Sequence, residues 1–308
     1  MKLLLIIGIS CLILISVTGC QGQSAVAAPP EPSHGNTLEH TSVNTLEPVQ
    51  TATQTPLPAT PTVTSSPTPA GCPEKAGRIT QAEMASKLLP YPLKLRIYLP
   101  PCFEPGARQG YPVIILLHGQ GSKDDQWERL GVARAADQVI NSGETRPFLI
   151  VMPREEYYLQ DPVVSKFAEA LVEELLPMLK QKYNICAPRE CWAIGGISRG
   201  AAWAVRIGLI NWSLFGSIGG HSLPPFKNDP YRLPEWLRLI PEGKAPRLWI
   251  DIGALDPWLK SAIEFEDLLN LYRFPFEWHL FSGTHNEAYW QSNIEVYLHW
   301  YTQIWKQN

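Results

Sequence analysis

Residues Trp192 to Val205 constrain this chain more than any other stretch. Trp192-Ala193-Ile194-Gly195 has the apolar character of a buried strand, and Ala201-Ala202-Trp203-Ala204-Val205 favours helix. Between them stands Gly196-Ile197-Ser198-Arg199-Gly200, a Gly-x-Ser-x-Gly pattern in a strand-turn-helix setting. A serine on so abrupt a turn is strained, and side chains two positions to either side would strike neighbouring backbone, so glycine is the residue that fits there. The turn leaves the Ser198 hydroxyl at a strand end, at the mouth of a helix whose N-terminal dipole favours a developing negative charge.

The rest of the chain offers the layered fold such a turn requires. Strands are expected at Ile79 to Met84, Leu93 to Leu99, Val113 to Leu117, Phe148 to Met152, Trp192 to Ile197, Phe215 to Ile218, Leu248 to Ile252 and Phe276 to Phe281. Val113-Ile114-Ile115-Leu116-Leu117 is apolar at every position, as suits a parallel strand covered on both faces. Helical patterns lie between them, near Asp124 to Ile140, Val163 to Tyr183, Arg199 to Leu209, Trp258 to Tyr272 and Glu287 to Trp305. Strand followed by helix, repeated, gives the fold class α/β, with a mostly parallel central sheet and helices on both faces. Ligands of such sheets sit at the carboxyl ends of the strands.

A serine hydroxyl needs a base to take its proton and an acid to orient that base, in the chain order Ser, Asp or Glu, His. Of the four histidines beyond Ser198, His279 falls inside the last strand, His299 in the C-terminal helix, and His221 precedes any suitable acid, where it could line the pocket without being the base. His285 sits in Ser282-Gly283-Thr284-His285-Asn286, just past the last strand, and is the expected base. Asp256, in the loop Gly253-Ala254-Leu255-Asp256-Pro257 beyond a strand end, is the expected acid, with Asp251 inside that strand read as structural. His118-Gly119-Gln120-Gly121 offers small residues where backbone approaches a substrate. The amides of Gln120 and Arg199 are the expected oxyanion donors.

With these residues assembled, the segment from about Ile79 to Trp305 resembles the Putative esterase family of α/β-hydrolases, which includes esterase D, feruloyl and enterochelin esterases and the mycolyltransferases. The resemblance is carried by Tyr98-Leu99-Pro100-Pro101, Leu116-Leu117-His118-Gly119, the Ser198 motif, Gly253-Ala254-Leu255-Asp256 and Gly283-Thr284-His285-Asn286-Glu287-Ala288-Tyr289-Trp290. Ala201 and Thr284 depart from the family's usual glycines, and both bear on packing more than on chemistry. The resemblance implies an α/β-hydrolase with the triad Ser198, Asp256 and His285 and the oxyanion amides of Gln120 and Arg199. It also implies ester cleavage through an acyl-enzyme, with neither metal nor organic cofactor. Two alternatives stand beside it: a transferase of the mycolyltransferase kind, sending the acyl group to a sugar hydroxyl, and a catalytically inactive binding protein.

The chain outside this segment reads differently. Residues 1–20 carry Lys2, an uncharged apolar run and then Val17-Thr18-Gly19-Cys20, the order of an export signal, resembling the lipobox of bacterial lipoproteins. Cys20 is the expected lipidation site, which would anchor the protein at an extracytoplasmic membrane surface. Residues 21–71 are rich in Thr, Pro, Ser and Ala and read as a tether, leaving 72–308 as the catalytic domain. Exported cysteines favour disulfides, and the pairs expected are Cys186 with Cys191 and Cys72 with Cys102. A net charge of -3 with scattered basic residues gives no electrostatic case for nucleic acid. The family resemblance implies an ester-bearing small molecule or polysaccharide as partner. Tyr157, Tyr158, Trp258, Tyr289 and Trp290 follow strand ends and are candidates to line its pocket, and Ser222 to Lys244 reads as an insertion beside it.

Overall fold

The structure, a computed structural model, describes residues 73–306. The export segment, Cys20, the tether and Cys72 lie outside the described residues.

Eight strands form one sheet in the order β1-β2-β4-β3-β5-β6-β7-β8. β1 (Arg78–Met84) and β2 (Leu93–Leu99) are antiparallel, and β2 is antiparallel to β4 (Leu149–Pro153). From β4 onward every neighbour is parallel: β3 (Val113–Leu117), β5 (Trp192–Ile197), β6 (Ser217–His221), β7 (Arg247–Gly253) and β8 (Glu277–Phe281). All residues of β3, β4, β5 and β6 are buried, as strands covered on both faces must be.

Alternating side chains of the central strands feed two cores. Ile114, Leu116, Ala193 and Ile197 pack with α1 (Gln126–Arg129), α2 (Val132–Asn141) and α8 (Glu287–Thr302). Ile115, Leu117 and Ile194 pack on the other face with α3 (Phe167–Glu169), α4 (Leu176–Tyr183), α5 (Arg199–Ile210), α6 (Asp229–Arg238) and α7 (Leu259–Leu271). A π-helical turn, Ala170–Leu175, joins α3 to α4. The fold is the expected α/β-hydrolase arrangement, and it brings the carboxyl ends of β3, β5, β7 and β8 together. Among the described residues no helix is long and apolar enough to cross a membrane.

Two local expectations are corrected. The single helix over Asp124 to Ile140 is two, divided at Gly131, whose φ of +92° no helix accommodates. The strand placed at Phe215 to Ile218 lies at Ser217–His221, running through Gly219-Gly220. Paired Gly195 and Gly219 lie under the Tyr301 hydroxyl from α8, and a Cβ at either would overlap it. The segment Ser222 to Lys244 contains α6, whose Leu233 and Trp236 belong to the core. Cys186 and Cys191 are joined as expected, closing the turn before β5 with a Cα separation of 6.0 Å.

Candidate active site

The turn between β5 and α5 holds Ser198 at φ 54° and ψ -121°, a strained conformation for a residue with a side chain. A Cβ on Gly196 would collide with the Gly200 backbone, and one on Gly200 with Leu117 and His118 carbonyl groups. Both glycines are therefore imposed by close backbone approach. Ser198 N–H donates to the His221 carbonyl at 2.9 Å, tying the turn to β6.

The structure brings together the three side chains singled out from the sequence. Ser198 Oγ lies 2.8 Å from His285 Nε2, and His285 Nδ1 lies 2.8 Å from Asp256 Oδ2. Asp256 is buried, and its other oxygen accepts the Trp258 amide at 2.9 Å, so the carboxylate presents one edge to the imidazole. This fixes the tautomer: Nδ1–H donates to Asp256, and Nε2 accepts from the serine. The two loops carrying acid and base are zipped, with Leu255 N–H donating to the Gly283 carbonyl and Thr284 Oγ1 to the Leu255 carbonyl. Asn286 caps α8 by accepting the Tyr289 amide, which ends the base loop one residue past His285. The imidazole stays partly open, its side chain 18% exposed.

The loop after β3 reaches the serine as well. Gly119 lies against it, since a Cβ there would stand 3.6 Å from Ser198 Cβ. Gly119 N–H donates to Gln126 Oε1 at 2.8 Å. Arg199, the first residue of α5, holds Glu155 through two 2.7 Å bonds. Among the described residues, no group of three or more His, Cys, Asp or Glu side chains is placed to hold a metal ion.

Other expected pocket residues lie elsewhere. His221 is fully buried at the end of β6, bound to Asp251 and Tyr301 and stacked on Tyr297, so it does not line the site. Tyr289 and Trp290 are buried in α8: the Tyr289 hydroxyl donates to Asp251 and the Trp290 indole to Ser222 Oγ. Trp290 still touches the site from below, its ring edge-on to His285 at 5.2 Å. Tyr157 and Trp258 are about half exposed, at 52% and 49%, on loops that leave the carboxyl ends of β4 and β7. His118 and Glu155, 37 residues apart, are joined in support of this site, and no spacing in the sequence announces that contact.

The family model described as Putative esterase matches residues 86–301. The chain belongs to this esterase family. Among its relatives is an endo-1,4-beta-xylanase/feruloyl esterase of Xylanibacter ruminicola, 28% identical over 139 residues, a match that covers 41% of this chain and 19% of that protein. A solved ferulic acid esterase superposes with a TM-score of 0.65 at 24% identity, covering 74% of this chain and 99% of the other. The S-formylglutathione hydrolase of Staphylococcus aureus does so with a TM-score of 0.63 at 16% identity, covering 73% and 99%. These likenesses are to the α/β-hydrolase fold of esterases.

Proposed function

We propose that this esterase-family protein cleaves carboxylic esters through a covalent acyl-enzyme formed on Ser198. The observation that carries the reading is the continuous chain from Ser198 Oγ through His285 to Asp256, each link 2.8 Å long. Ser198 Oγ attacks the ester carbonyl while His285 Nε2 takes its proton, and the imidazolium that forms is stabilised by Asp256. The oxyanion of the tetrahedral intermediate is held by the Gln120 and Arg199 amides, helped by the N-terminal dipole of α5. His285 returns the proton to the leaving alcohol, and a water activated by the same base releases the acid.

Esters of hydroxycinnamic acids are the first substrates to try. Relatives named feruloyl or ferulic acid esterase support that choice, as do the exposed rings of Tyr157 and Trp258 on loops at strand carboxyl ends. The site of action is a membrane surface outside the cytoplasm, reached through Cys20 and the 21–71 tether, and Cys20→Ala tests this by releasing or leaving unprocessed a protein that otherwise sediments with membranes. Ser198→Ala should abolish both ester turnover and fluorophosphonate labelling without loss of fold. A variant that still labels stoichiometrically would remove Ser198 from the mechanism. Product analysis with added sugar acceptors separates hydrolysis from acyl transfer.

A further inference from the structure

The oxyanion amides of an acyl-transfer site must be aimed before the charge develops, because donors that reorganise during the reaction contribute little. One of the two proposed donors, Arg199 N–H, stands at the start of α5, on a residue whose side chain is gripped by Glu155. The other, Gln120 N–H, sits in an exposed loop, and a short network inside the fold determines where it points.

The peptide between Gly119 and Gln120 is planar and trans, so its carbonyl and its amide point in opposite directions. The Gly119 carbonyl is held from two sides, by His118 Nδ1–H at 2.9 Å and by the Ser122 amide at 3.1 Å. Fixing that oxygen fixes the Gln120 N–H. The preceding amide, Gly119 N–H, is already given to Gln126 Oε1, so the loop leaves Gln120 to face a substrate oxygen.

His118 does this from a buried position, and its chemistry there is fully specified. Its Nε2 accepts the Glu155 amide at 2.9 Å, so Nε2 carries a lone pair and Nδ1 carries the proton, which is the tautomer that the Gly119 carbonyl needs. Burial pushes the imidazole below its ordinary value, so it is neutral at pH 7. Glu155 then continues the network. Its carboxylate grips Arg199 through Nε and Nη2, both at 2.7 Å, and Arg199 Nη2 also donates to the Gln160 carbonyl at 3.0 Å. The residue that supplies one donor is thus tied, through Glu155 and His118, to the peptide that supplies the other.

We infer that His118 and Glu155 are positioning residues that hold the Gln120 and Arg199 amides at a common distance from the reacting carbonyl. Neither touches substrate; each acts through a backbone donor. The inference rests on the esterase reading of Ser198, and its signature is a loss confined to the transition state, with ground-state binding spared.

The test uses the full chain and a chromogenic aryl ester, with kcat and KM measured separately. His118→Ala loses both contacts and should lower kcat about 100-fold, within the range for loss of one oxyanion donor, while KM stays within about threefold. Affinity for a boronic acid, which forms a tetrahedral adduct with the serine, should fall in parallel with kcat. His118→Asn retains a donor near the Nδ1 position and should recover part of kcat at unchanged KM, which a loss of packing alone would not produce. Glu155→Gln, which weakens the grip on Arg199 and keeps the backbone contact to His118, should show a smaller drop of the same kind. It also carries the test if His118→Ala does not fold. Folded variants with kcat within about threefold of the native chain, or with the whole loss in KM, overturn the inference and leave the esterase reading standing. A native chain that neither turns over any ester nor labels with fluorophosphonate overturns both.

Discussion

Two histidine–aspartate pairs stand side by side in this fold, one in the loops beyond β7 and β8 and one on β6 and β7, and they are nearly the same chemical object. In one, Asp256 holds His285, whose far nitrogen meets the Ser198 hydroxyl at 2.8 Å. In the other, Asp251 holds His221 at 2.6 Å, and the far nitrogen of His221 meets the Tyr301 hydroxyl at 3.0 Å. Hydroxyl, imidazole and carboxylate follow in the same order in both. What differs is the surroundings. Asp256 Oδ1 and Oδ2 receive the Trp258 amide and His285, whereas Asp251 receives His221, the Trp249 indole and the hydroxyls of Tyr289 and Tyr297. His221 and Asp251 are wholly buried, and burial together with the Asp251 charge drives the Tyr301 phenol far above its ordinary range, so it stays protonated and can donate to His221 Nε2. The relay alone does not make a reactive site. Solvent access, a hydroxyl at a helix mouth and free amides beside it distinguish the first pair from the second.

This contrast breaks most readily at the bases. His285→Ala should lower turnover by about a thousandfold to a millionfold, with an unchanged circular dichroism spectrum and melting temperature. If more than about a tenth of turnover survives, the first pair is not the catalytic one. Asp256→Asn should cost on the order of a thousandfold to ten-thousandfold in kcat, because the amide stabilises the wrong tautomer. The corresponding change in the second pair, Asp251→Asn, should act on the fold. With four donors left competing for a neutral amide, unfolding should become easier by about 3 kcal/mol, read as a drop in melting temperature of roughly 6 to 12 °C for a domain of this size. Turnover per folded molecule should stay within about tenfold of the native value, a small loss being transmitted through Tyr289. A collapse of kcat in well-folded Asp251→Asn would make the two pairs functionally equivalent. Tyr301→Phe removes one buried hydrogen bond and should cost about 1 kcal/mol with kcat unaffected, the smallest of these effects.

The solvent-facing pair was legible in the sequence and the buried pair was not, for a physical reason. Ser198, Asp256 and His285 each follow a strand in a short loop carrying glycine or proline, and local chemistry marks such loops. His221 follows Gly219-Gly220, and the same rule reads those glycines as the end of a strand. They are in fact its interior, and Gly219 is kept bare to admit Tyr301, which lies 80 residues beyond His221 on α8. Tyr289 and Trp290 are pocket candidates only through their nearness in sequence to His285; on α8 they turn inward, toward Asp251 and Ser222. α6 was hidden by Pro230 and Pro234, the first of which sits in the opening turn, where its missing N–H costs no helical bond. The bond from Glu155 to His118 lay beyond local reading altogether, since only the pairing of the sheet brings β3 and β4 side by side.

The paired glycines under Tyr301 also bear on how such a chain can vary over descent. A methyl group gained at position 195 or 219 while the phenol is present is a steric overlap at the centre of the molecule, so neither change is open on its own. Removing the phenol first leaves His221 without its outer partner and opens a void that the two glycines cannot fill. The three positions are therefore epistatic, and the only path between the two solutions passes through a destabilised intermediate. Lineages that carry the phenol should carry both glycines with it, and a library that randomises the three sites singly will recover almost nothing that randomising them together would find.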